Sequence, residues 1–260
     1  MAPAPLSVTS WGTAGPRVVL VHGSGTWGAA TFGFAAQRPL AADHQLVVPD
    51  RRGYGASPDT ARSDPHEDAI DIGELLDDGA HLVGHSSGAV VALLATAARP
   101  DRVRSLTLIE PACFQLAPRD PVVAAAIARN RAALDAVPPT IDAEELVRLN
   151  YRSAGLPVPE ITERHVRATR TALAERPAWD TPITSEAVAN APRPTLVITG
   201  TWENAADDYR EHGGRPIMAC ARVTADLLGA ELLRVPGASH WPHQERPDLV
   251  NPALSRLWRG

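Results

Sequence analysis

The chain has 260 residues, 44% of them hydrophobic, and a formal net charge of −5. That length suits one α/β domain carrying an elaboration, or two small domains, and an acidic balance without a basic run argues against a nucleic-acid partner. Every basic residue is arginine, which excludes a lysine Schiff base and a Ser-Lys dyad. Cys113 and Cys220 stand in unrelated contexts without metal-ligand spacing, so no disulfide framework, zinc site or other metal is expected.

Met1 to Leu6 carry no basic segment followed by an apolar run, so no signal peptide is expected. No apolar stretch reaches membrane-spanning length, and the expected location is the cytoplasm, with no membrane partner. Val8 to Trp11 reads as a first strand, followed by a turn over Gly12 to Pro16. Arg17 to Val21 is apolar after its first residue, as expected of a strand covered on both faces. It runs into His22-Gly23-Ser24-Gly25, a loop that can turn its N–H groups toward a ligand. Gln45 to Pro49 is the next strand, ending in Asp50-Arg51-Arg52-Gly53-Tyr54-Gly55-Ala56-Ser57. Pro65 to Asp78 is polar and helix-compatible.

Ala80 to Leu94 then reads as a buried strand, a Gly84-His85-Ser86-Ser87-Gly88 turn and an apolar helix. Gly-x-Ser-x-Gly between a strand and a helix is the nucleophile-elbow pattern. Gly84 and Gly88 remove side chains that would clash where the strand passes under the helix. Ser86 is thereby raised at the carboxyl edge of the sheet, beside the free N–H groups of the first helical turn. The helix stops at Arg99-Pro100, and Val103 to Ile109 forms a strand ending in Glu110-Pro111.

From there the texture becomes helical. One helix opens at Asp120-Pro121, a second at Asp142, and a third covers about Thr162 to Glu175, with prolines between them. Strands resume at Thr195 to Gly200 and Glu231 to Val235, with helices over about Pro216 to Leu228 and Pro247 to Trp258. Strands alternating with helices call for a mainly parallel sheet covered on both faces. In such sheets ligands sit at the carboxyl ends of the strands. Ser24, Ser86, Glu110, Glu203 and His240 all fall just after strands.

His22 to Gly25, Asp50 to Ser57, Gly84 to Gly88, Arg99 to Val103 and Gly237-Ala238-Ser239-His240-Trp241 together give the chain a pattern that resembles the α/β-hydrolase superfamily. The resemblance implies an α/β-hydrolase fold with a mainly parallel sheet, a core of residues 1–111 and 192–260, and a helical cap over 112–191. Related enzymes that open epoxides or displace halide carry Asp at the elbow; Ser86 points instead to acyl transfer. His240 is the expected base. The family most often places its acid three residues beyond the glycine after the Thr195 strand, which lands on Glu203. Glu110 is the alternative, since some members draw the acid from the end of the preceding strand, and Asp207 and Asp208 follow. The resemblance places the oxyanion hole at the N–H groups of Ser24 and Ser87. Trp27, Phe32, Phe34 and Trp179 are candidates for an apolar acyl pocket. The resulting expectation is a cofactor-independent serine hydrolase acting on a small ester-like substrate. A carbon–carbon lyase or perhydrolase is the alternative within the fold, and a catalytically idle binding protein the alternative outside it.

Overall fold

Alternation along each strand sorts its side chains onto two faces, and both faces are covered. A computed structural model describes residues 4–138, 141–183, 188 and 194–259. The strands are β1 (Val8–Trp11), β2 (Arg17–Val21), β3 (Gln45–Pro49), β4 (Ala80–His85), β5 (Val103–Ile109), β6 (Thr195–Gly200) and β7 (Glu231–Val235). They form a seven-stranded sheet in the order β1-β3-β2-β4-β5-β6-β7. Only β1 is antiparallel to its neighbour. It lies at the edge, and its residues are half-buried or exposed. All of β4, in the middle, is buried.

Val19 and Val21 of β2 join one core layer, with α1 (Pro65–Leu75), α2 (Ser87–Ala98) and α6 (Arg215–Leu228). Val18 and Leu20 join the other, packed under α7 (Pro247–Arg259). This two-sided cover explains why β2 and β3 read as apolar runs after their first residue rather than alternating ones.

Between β5 and β6 lies a helical insertion containing α3 (Pro121–Asp135), α4 (Ala143–Ser153) and α5 (Glu163–Ala174). Asp120 caps α3 by accepting from the N–H groups of Val122 and Val123 at 2.9 and 3.3 Å. Asp142 caps α4 through the Glu144 N–H at 3.1 Å. The expected boundary at 191 and 192 lies outside the described residues. α5 is tied to the loop after β3. Arg167 donates to the carbonyls of Gly53, Gly55 and Ser57 at 3.0, 3.0 and 2.6 Å, and Thr171 donates to Gly53 at 2.6 Å. These bonds hold the insertion over the carboxyl ends of the strands. Among the described residues, no helix is long and apolar enough to cross a membrane.

Candidate active site

Ser86 sits between β4 and α2 with φ 56° and ψ −117°, a conformation that costs a non-glycine residue about 1–3 kcal/mol. The surroundings impose it. Its N–H donates to the Ile109 carbonyl at 2.9 Å, which ties the elbow to β5. A Cβ on Gly84 would overlap the carbonyl of Gly88, and one on Gly88 would overlap the carbonyls of Val21 and His22. The strand and helix therefore approach as closely as backbone allows. Gly84→Ala is expected to lower stability by about 1–3 kcal/mol through overpacking, read as a lower urea midpoint at unchanged m-value.

The structure brings His240 to this serine. Its Nε2 lies 3.1 Å from Ser86 Oγ, and its Nδ1 lies 3.7 Å from Glu110 Oε2. Glu110 is fully buried and occupies a left-handed turn, φ 47°, at the end of β5. There its N–H donates to the Ile198 carbonyl at 2.8 Å, and its side chain crosses the top of β6. Oε1 accepts from the Thr199 hydroxyl at 2.8 Å and from the Gly200 N–H at 2.5 Å. Oε2 accepts from the Trp202 indole N–H at 3.2 Å.

Glu203, the first choice from the sequence, is not at His240. Its neighbour Trp202 turns inward, at φ 58° and 1% exposure, and leaves Glu203 on the surface. Asp207 and Asp208 are exposed and face Arg210 and His212, at 2.6 and 3.3 Å. Thr199 and Trp202, which hold Glu110, were not singled out from the sequence. Their signal was only their position at the carboxyl end of the strand beside β5.

The sequence model of the alpha/beta hydrolase family matches residues 18–253. The chain belongs to the alpha/beta hydrolase family. It is 32% identical over 159 residues to lipase LipV of Mycobacterium tuberculosis (strain ATCC 25618 / H37Rv), a match spanning 54% of this chain and 60% of LipV. It is 26% identical over 259 residues to esterase YbfF of Escherichia coli (strain K12), covering 92% of this chain and 91% of that one. The crystal structure of a hydrolase from Pseudomonas aeruginosa PA01 superposes with a TM-score of 0.68 at 23% identity, over 97% of this chain and 93% of that one.

Three other histidines support the site of this α/β hydrolase. His22 accepts the Arg51 N–H at Nε2, 2.9 Å, and donates from Nδ1 to the Gly23 carbonyl, 2.7 Å. Burial and the nearby Arg51 hold its pKa well below the usual range, so it shapes the loop as a neutral ring. His85 packs beneath the site. Its Nε2 donates to the His240 carbonyl at 2.7 Å, and its ring centroid is 4.9 Å from that of His240. His243 is buried and donates to the Gly33 carbonyl at 2.8 Å.

The loop proposed for the oxyanion hole lies directly against the elbow, since a Cβ on Gly23 would sit 3.1 Å from the Cβ of Ser86. The Ser24 and Ser87 hydroxyls are 2.9 Å apart. Beside Ser24 and Trp241 opens a cavity of about 850 Å³ between the insertion and the sheet edge. Trp27 and Phe32 line it with Tyr151, Leu146, Leu156 and Leu173. Phe34 is instead part of the core beneath His243, and Trp179 packs against the other core layer.

Proposed function

We propose that this chain is a serine hydrolase of neutral, apolar esters, with Ser86 as nucleophile, His240 as base and Glu110 as the orienting acid. Residues 1–111 and 192–260 form its core and 112–191 its cap. The observation that carries the reading is the relay from Ser86 Oγ through His240, at 3.1 Å, to the buried Glu110 carboxylate, at 3.7 Å. A hydroxyl is a weak nucleophile at neutral pH and needs a base. With Nδ1–H directed at Glu110, His240 presents an unprotonated Nε2 to Ser86. Nε2 takes the proton as Oγ attacks the carbonyl carbon, then delivers it to the leaving alkoxide. Water attacks the acyl-enzyme in the same way, with His240 again as base. The N–H groups of Ser24 and Ser87 receive the developing oxyanion, each worth about 3–4 kcal/mol in such sites.

The cavity argues for the substrate class. No Asp, Glu or Arg is among its described lining residues. His165 in that lining is shifted by burial toward its neutral form, and burial likewise raises the Tyr151 phenol pKa. A charged acyl group would lose its hydration there without gaining an oppositely charged partner among the described lining residues. A fluorophosphonate probe is expected to label wild-type protein at Ser86 and to leave Ser86→Ala unlabelled. An unlabelled wild-type protein would favour the binding-protein reading. Among p-nitrophenyl esters, octanoate is expected to exceed acetate in kcat/KM by roughly tenfold or more, and the hemisuccinate to fall below both. A preference for the hemisuccinate would overturn the neutral-substrate assignment.

A further inference from the structure

We propose that Glu175, just beyond α5 in the cap, is a positioning residue that sets the oxyanion loop, so that the hole is complete only when this part of the cap is docked. The proposal rests on the serine-hydrolase reading and adds a residue to it that neither the elbow nor the triad requires.

The carboxylate of Glu175 meets the loop directly. One oxygen accepts from the Ser24 hydroxyl. The other accepts from the Tyr54 hydroxyl at 2.6 Å and from both terminal nitrogens of Arg51 at 3.4 Å. Arg51 reaches onward to the Ser87 hydroxyl at 3.3 Å and donates from Nε to the His22 carbonyl at 3.2 Å. Its other partner is Asp68, at 2.7 Å. Ser24 and Ser87 are the two residues whose N–H groups form the proposed hole, and a single carboxylate from the cap contacts one and reaches the other through a guanidinium.

The depth of Glu175 is itself fixed. Arg167 and Thr171 tie α5 to the carbonyls after β3. On the far side, the Arg176 N–H donates to the Ser63 carbonyl at 2.8 Å and its side chain meets Asp64 at 3.0 Å. Stability alone is a poor account of this cluster. The side chains of Arg51, Asp68 and Glu175 are 1, 2 and 7% exposed, and buried ion groups replaced by apolar ones are often neutral or stabilising. Placement against both oxyanion residues gives the charges a task that apolar packing would not perform, because a polar loop needs directional partners to hold its N–H groups in one orientation.

The test compares Glu175→Ala, Glu175→Gln and Ser24→Ala with wild type, using p-nitrophenyl octanoate, an alkyl boronic acid and octanoate as product. Glu175→Ala is expected to lower kcat about 100-fold, the size of effect that a misplacement of about 1 Å can have, with KM nearly unchanged. The boronic acid, whose tetrahedral adduct on Ser86 uses the hole, should weaken by a similar factor, and octanoate should not. Glu175→Gln can keep its oxygen as the acceptor for Arg51 and Tyr54 and donate its NH₂ to the Ser24 hydroxyl, and should recover most of the activity. Ser24→Ala removes the hydroxyl that meets Glu175 and Ser87 but leaves the Glu175–Arg51–Ser87 link, and should repeat the pattern at smaller size, which keeps the test valid if Glu175→Ala folds poorly. Wild-type kcat and boronic acid affinity in both alanine variants would overturn the proposal, as would equal weakening of boronic acid and octanoate in folded protein. Fluorophosphonate labelling of wild type separates the two ideas: label with unaffected variants removes the positioning role alone, and no label removes both.

Discussion

Glu110→Gln is expected to lower kcat for an activated ester by about 10³- to 10⁴-fold, whereas Glu203→Gln stays within about twofold, as for an uninvolved surface group. The size of the first effect follows from the bonds around the carboxylate. Oε1 already accepts two donors, from Thr199 and Gly200. A glutamine therefore keeps its oxygen there and turns its amide NH₂ toward Trp202 and His240. Two N–H donors then face each other at the indole, at a penalty of about 1–3 kcal/mol for the unsatisfied pair. More important, His240 Nδ1 now meets a donor and must accept. The ring changes tautomer, Nε2 carries the hydrogen, and it can no longer take the proton of Ser86. The loss should appear in kcat at nearly constant KM, because Glu110 is not among the described residues that line the cavity and the substitution changes proton transfer. Circular dichroism and thermal unfolding of the same samples control for folding. The opposite outcome, with Glu203→Gln inactive and Glu110→Gln active, would return the acid to the loop after β6.

The contrast between these glutamates marks where sequence reading stops. Each strand, α2 and the α3 to α5 insertion were legible because apolar periodicity, prolines and N-cap residues act locally. Ser86 was legible for a similar reason: Gly84 and Gly88 are a steric requirement written within a few residues. His240 followed from its place after the last strand. Which carboxylate lies beside His240 was not legible, because Glu110 and Glu203 both lie between Ser86 and His240 in sequence and both follow a strand. What separates them is the left-handed turn at Glu110 and the inward rotation of Trp202, conformations set by the neighbouring strand. The Arg51–Glu175 contact was further out of reach. Its partners are 124 residues apart, and nothing in the local pattern of either residue names the other. Phe34 and Trp27 are a smaller case of the same limit. They lie in one short loop region, yet one is core and the other lines the cavity.

The second large expected effect is on stability rather than rate. Lowering the pH from 7 to 5 should destabilise the fold by about 4 kcal/mol through His81 and His243 alone, about 2 kcal/mol for each. Burial lowers the pKa of both to about 4, with Arg104 and His44 adding to the effect on His81, and with His240 adding at His243 against the bond to the Gly33 carbonyl. In the unfolded chain both return to about 6.5. Between those values the unfolded chain binds protons that the folded one does not, so stability falls with falling pH. The contribution is fully present above about pH 6.5, is lost progressively toward pH 4, and levels off below that as the folded protein also takes up protons. His22 and His85, held well below the usual range by burial, act with the same sign. Asp68 opposes them, since burial outweighs Arg51 and raises its pKa, whereas His165, lowered by burial, adds to them. Urea denaturation at pH 5, 6, 7 and 8 measures the slope. His243→Gln keeps a donor for the Gly33 carbonyl while removing the titration, and should flatten the slope by up to about 1.4 kcal/mol per pH unit within the window. A wild-type midpoint that does not move between pH 7 and 5 would mean that these rings are protonated in the fold. The His243 ring would then carry a charge in the buried core, 4.5 Å from the His85 ring, where burial favours the neutral form of both.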